Sequence, residues 1–240
     1  MFTSTQWTMV FRAVREDQKS HRPAMSQLIE KYWQPLYFFA RRQGLSAVDA
    51  EDATQAFLSE LMDGRVLAAA DPAKGRFRNY LLTIWKRFLI DRARAENAAK
   101  RGGDLAVTSI FYGDGEKAWL AYSTQTKPDH DADRAYYEEW ASTLVRTALD
   151  KIRTEYAKSQ RDSTYQALLP YLAAPITIQT YAELAPKLGV TVGAAKVAVH
   201  RLRQRFAVTL RQLVQETVED PEELDVELEE LKRYLEQIRP

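Results

Sequence analysis

An all-α fold in two small helical domains is what this 240-residue sequence predicts, on three observations. Apolar residues recur at the three-to-four-residue spacing of helices, and no stretch keeps the period of two that strands require. A segment rich in glycine and polar residues, 102–131, interrupts that pattern near the middle of the chain. Beyond it the sequence gives a long helix, then a short helix, a glycine turn and a second long helix.

The elements follow in order. Over 22–44 Leu28, Tyr32, Leu36 and Phe39 fall at helical spacing; Pro23 suits a first turn, Pro35 should kink or split the run, and Gly44 should stop it. Ser46 is placed to cap a helix reaching Met62, with Ala50, Ala53, Phe57 and Leu61 as its apolar stripe and acids at both ends. A turn around Asp71–Gly75 leads to a helix over 77–98, apolar at Phe77, Tyr80, Leu81, Ile84, Trp85 and Phe88. The segment 102–131 reads as a linker, although Phe111, Tyr112, Trp119 and Tyr122 argue against an inert spacer. Helices are expected over 132–156 and 162–173.

In TYAELAPKLGVTVGAAKVAVHRLRQRF, from Thr180, a threonine with Glu183 three residues later suggests a capping box. Gly189 permits a tight turn, Val190 is expected to plug inward, and Thr191 to cap the next helix. On that helix Ala195, Val199, Leu202, Phe206 and Leu213 share one side; Lys196, His200, Arg203 and Gln204 share the other, with Arg201 and Arg205 on the flanks. This is the helix-turn-helix pattern, whose second helix enters the major groove.

Charge supports a polyanionic partner. The net charge of +1 hides nine Lys/Arg against two acids over 74–101, and six Lys/Arg with no acid over 187–211. Ten acids against three bases follow over 212–240. Two basic stretches suit nucleic acid, where phosphate neutralisation supplies much of the affinity. The absence of cysteine excludes disulfides, thiolate chemistry and cysteine-based zinc sites, and fits a cytoplasmic protein. The opening MFTSTQWTMVFRAV does not read as a signal peptide, and no run approaches the length that spans a bilayer. His21, His130 and His200 are too scattered for a metal site, and no compact nucleophile or acid–base motif is present. No cofactor, metal or catalytic residue is expected, and the chain is not read as an enzyme.

Three blocks resemble the extracytoplasmic-function group of the sigma-70 family of RNA polymerase sigma factors. SAVDAEDATQAFLSEL (46–61) is similar to the polymerase-binding helix, and KGRFRNYLLTIWKRFLIDRARAENAAKRGG (74–103) to the part that melts and reads the −10 element. The stretch 180–206 is similar to the helix-turn-helix that reads the −35 element. The resemblance implies polymerase contacts at Asp49, Glu51, Asp52, Gln55 and Phe57. It implies −10 contacts at Arg78, Asn79, Lys86, Arg87, Arg92 and Arg94, and −35 contacts at Thr191, Lys196, His200, Arg201 and Arg203. A base-holding loop would fall at Leu61–Gly75, with no residue assigned. The implied organisation is a domain 2-like part over 1–101, the linker, a domain 4-like part over 132–220 and an acidic helix over 221–240. Implied partners are the β and β′ subunits of core RNA polymerase, promoter DNA, and an anti-sigma or other regulatory protein, with no membrane insertion. The acidic helix, with Leu224, Leu228, Leu231 and Leu235 at helical spacing, would fold back on a basic DNA-binding face or, preferably, pack beside the second domain. Two other classes stay open: a stand-alone helix-turn-helix regulator, and a helical adaptor whose basic faces meet acidic proteins.

Overall fold

The computed structural model describes residues 18–63, 65–68, 70–71, 75–99, 114–125, 131–173, 178–218 and 220–238. Every regular element among the described residues is helical. The expected turn residues at 72–74 and the aromatic residues Phe111 and Tyr112 lie outside the described residues. The chain forms two compact units, one of 1–143 together with 215–240, the other of 144–214.

The first unit begins with α1 (Gln18–Arg42), which starts before Pro23 and runs through Pro35 without a break. The missing amide hydrogen of Pro35 is tolerated where Pro35 and Leu36–Ala40 are all buried, so packing on several sides holds the turn. Helix α2 (Ala47–Met62) starts as expected: the Ser46 hydroxyl accepts from the Asp49 amide at 3.1 Å, a cap worth about 1 kcal/mol. A short turn of helix, α3 (Arg65–Ala68), precedes α4 (Phe77–Ala99). The core joins these elements through aromatic rings. Tyr32 meets Phe77 edge-on at 5.6 Å, and Phe57 lies 4.9 Å from Trp85.

Part of the expected linker is structured. Asp114–Gln125 forms α5, whose Trp119 and Tyr122 lie 5.4 and 5.2 Å from Phe38 of α1. Glycine at 115 is required by this packing, since a Cβ there would meet the Trp33 ring at 2.9 Å. Tyr37 donates a short hydrogen bond to Glu116, and Arg41 pairs with the same carboxylate at 3.0 Å. The aromatic character of Trp119 and Tyr122 therefore reflects docking on α1.

Helix α6 (Ala132–Lys158) contributes its residues up to Thr143 to the first unit and the remainder to the second. The domain boundary thus falls inside a helix at 143/144, not at the expected 131/132, because Ala135, Tyr136, Trp140 and Ala141 are buried in the first unit.

In the second unit, α7 (Asp162–Leu168) ends earlier than expected and tightens into a 3₁₀ turn over Leu169–Tyr171, where Pro170 cannot donate to a continuing helix. Helix α8 (Ile178–Leu188) already contains Thr180, so the expected capping role of that residue does not hold. Helix α9 (Val192–Gln215) follows after a three-residue turn. Ile152, Tyr165, Leu168, Leu184, Ala185, Ala195, Val199 and Leu202 form the core of this unit.

The C-terminal helix α10 (Leu224–Ile238) belongs to the first unit rather than standing beside the second. Leu224, Glu227 and Leu231 are buried at helical spacing, and Tyr234 stacks on Tyr137 at 5.4 Å. Among the described residues no helix is long and apolar enough to cross a membrane.

Candidate nucleic-acid interface

On α4 the expected DNA-facing residues separate into two sets. Asn79, Thr83, Arg87, Ile90 and Arg94 are exposed, and their spacings of four, four, three and four place them on one helical stripe. Lys86 borders it, paired with Asp133 at 2.6 Å. Asn79 accepts from the Tyr137 hydroxyl at 3.1 Å, and Arg94 reaches Asp91 at 3.5 Å. These pairs are solvated and worth little, so they hold the cations in place without consuming them. Thr83 and Ile90 were not picked out from the sequence. Counting helical turns from Asn79 would have found both; Ile90, although apolar, is 51% exposed.

Arg78 and Arg92 fall on the other side of α4. Arg92 is half-buried. Arg78 is 2% exposed and locked in an ion-pair cluster. It makes a two-pronged contact with Glu227, one arm short and one of 2.9 Å, and a 2.7 Å contact with Glu230. Arg76 joins at 2.8 Å from Glu227 and 2.5 Å from Glu230. Thr217 donates to Glu227 at 3.1 Å, and the Arg78 guanidinium lies 4.4 Å over the Trp140 ring. Burial opposes the charge on Arg78, but the Glu227 carboxylate outweighs it and holds the guanidinium protonated. Arg78 therefore ties α4, α6 and α10 together in this structure, which sets it apart from the exposed stripe.

The expected polymerase-facing residues of α2 also divide. Asp49 is exposed, and its carboxylate accepts from the Ser46 hydroxyl at 2.7 Å. Gln55 is half-exposed and donates weakly to Glu51 at 3.4 Å. Asp52 is half-buried, with one oxygen buried and unbonded among the described residues. Glu51 is buried, and Phe57 sits in the core against Trp85 and Phe88. The exposed side of α2 also holds Glu60, one of the acids noted at its ends, with Val48, Ala56, Ser59 and Met62, whose apolar character the charge-based reading left out.

In the second unit, Gly189 adopts φ +65°, a left-handed conformation that ends α8, and the Val190 amide closes back on the Ala185 carbonyl at 3.1 Å. Thr191 then caps α9 by accepting from the Ala194 amide at 3.2 Å. Val190 does not plug the core; it is 43% exposed, because the turn spends its backbone, not its side chain, on α8. Lys196, His200 and Arg201 are exposed on α9. Arg203 is half-buried and donates to the Tyr171 carbonyl at 3.1 Å, and Arg205 pairs with Glu155 at 2.5 Å. The structure thus gives Arg203 a local anchoring contact, while the other three bases face solvent.

Each unit therefore carries a solvent-exposed basic helical surface. Residues 28–99 match the family model described as Sigma-70 region 2. The match likens this part of the chain, under a third of its length, to region 2 of sigma-70 factors. The region 2 match spans α1, α2, α3 and α4, and so includes both the α2 surface and the α4 stripe. A search of curated proteins and a search of solved structures each returned no match.

Proposed function

We propose that this chain is an extracytoplasmic-function sigma factor, acting in the cytoplasm without catalysis of its own. Core RNA polymerase docks on the exposed side of α2 around Asp49 and Gln55. The α4 stripe of Asn79, Arg87 and Arg94, with Lys86 at its border, meets the −10 strand, where long cations neutralise phosphates and neighbouring groups approach unpaired bases. Helices α8 and α9 act as a helix-turn-helix in the −35 major groove, led by Thr191, Lys196, His200 and Arg201. Duplex opening costs a few kcal/mol per unstacked step, roughly what captured bases and phosphate contacts return.

The observation that carries this reading is the region 2 match over 28–99. Support for the second half comes from the glycine turn, the Thr191 cap and an acid-free α9 surface. The test is run-off transcription from a genomic promoter library by core RNA polymerase, with and without the purified chain. Specific initiation that depends on the chain is the expected result. Duplex binding with no association to core polymerase would favour a stand-alone regulator instead.

A further inference from the structure

We infer that Val197 reads a thymine, its side-chain methyls packing against the C5-methyl of that base in the major groove. The inference rests on the reading of α8 and α9 as a DNA-binding helix-turn-helix and adds a specificity residue to it.

The exposed side of the first half of α9 includes Gly193, Lys196, Val197, His200, Arg201 and Gln204. Val197 lies within this surface and is 47% exposed. A β-branched residue at a solvated helix position gains nothing from helix propensity, which favours alanine, leucine or the long polar side chains. Other exposed valines nearby have different explanations. Val192 is the first residue of α9 and falls at the spacing of the core residues Ala195, Val199 and Leu202, so it lies off the side that Val197 occupies. Val208 is eleven residues further on, about 16 Å along the axis, beyond the N-terminal part of the helix that meets bases.

The surroundings of Val197 fit duplex DNA. No acid occurs between Lys187 and Arg211, so nothing on this helix repels phosphate. Lys196, next to Val197, and Arg201, one turn further on, are exposed and supply the cations beside it. At Gly193 a Cβ would meet nothing within 4 Å, so one turn before Val197 the backbone itself presents open space to an approaching groove. An apolar side chain between cations has one complementary group in the major groove, the methyl that thymine carries and the other bases lack.

The experiment uses the full chain with core RNA polymerase to select duplexes from a random pool, then replaces each thymine of the selected −35 site by uracil, which lacks only the methyl. One replacement should weaken binding by the wild type about fourfold, the value of one buried methyl group. V197A should bind the thymine site about fourfold more weakly and lose nothing further on the uracil site. V197T, which keeps one methyl, should regain part of the discrimination. K196A serves as the contrast and should weaken thymine and uracil sites equally. A thymine-to-uracil ratio unchanged in V197A, with thermal melting also unchanged, overturns the inference while leaving the helix-turn-helix reading intact. Selection that yields no preferred sequence in the −35 region overturns both.

Discussion

Arg78 carries a full charge into surroundings that two carboxylates make tolerable. Its cluster with Glu227, Glu230 and Arg76 is mostly buried, and removing one partner from such a cluster leaves an uncompensated charge. Arg78→Met is expected to destabilise the first unit by about 3–5 kcal/mol, and the double variant Arg78→Met/Glu227→Leu to recover much of that loss. Urea denaturation followed by tryptophan emission measures both. Simple addition of the two single losses would show that the pair is not coupled. The distinction between Arg78 and Arg87 was open to sequence reasoning but hidden by counting charges. Arg78 stands three, four and seven residues before Leu81, Leu82 and Trp85, all buried, so it shares the apolar stripe. Arg87 shares the stripe of Asn79 and Thr83. Phe57, which periodicity already placed on the apolar stripe of α2, is buried there, whereas a family motif names positions in a helix without saying which face each one takes.

At the level of the element, α10 shows what periodicity reveals and what it leaves out. The spacing of Leu224 and Leu231 marks a helix with a buried face, and that much was legible. Its acidic charge suggested a basic DNA-binding face or the second domain as its seat; it sits on Arg76 and Arg78, at the start of the basic 74–101 stretch, and nothing local singles out these two arginines as the ones that need its carboxylates. The two ideas differ in what truncation does. A detachable acidic damper would leave a folded chain with tighter DNA binding. The observed packing predicts the opposite for a deletion after Thr217. That deletion removes Val218, Leu224, Glu227 and Leu231, costing on the order of 5 kcal/mol in apolar burial alone, comparable with the whole stability of a small domain. The first unit of the truncated chain should melt far below that of the intact protein, with protease cleavage accelerated in 18–143. Unchanged melting would mean that α10 adds nothing to the unit it packs on.

Across the whole molecule, helical class was legible because the periods were strong, whereas the division into units was not. A reading along the chain assigns domains to consecutive segments, but here 144–214 is framed by two stretches of the other unit. That division has a consequence at high pH. In the first unit, burial raises the pKa of Tyr37, Tyr122, Tyr136 and Tyr234, and pushes Tyr137 up to about 12. Glu116 beside Tyr37 and Glu138 beside Tyr122 act in the same direction. An unfolded tyrosine ionises near pH 10. Between pH 10 and 12 the unfolded chain therefore sheds protons that the folded first unit keeps, and stability falls as pH rises through that window. Below pH 10 this contribution is fully present. In the second unit burial raises Tyr165 in the same direction; with those five tyrosines against one, the alkaline loss should fall mainly on the first unit. Tryptophan isolates it, because all five tryptophans precede residue 144. The melting midpoint read from the tryptophan emission maximum should drop steeply from pH 9 to 11.5, while the helical signal of circular dichroism, which covers both units, should lose only part of its amplitude at that lower temperature. A single transition that moves identically in both signals would refute the assignment of the effect to the tyrosines of the first unit.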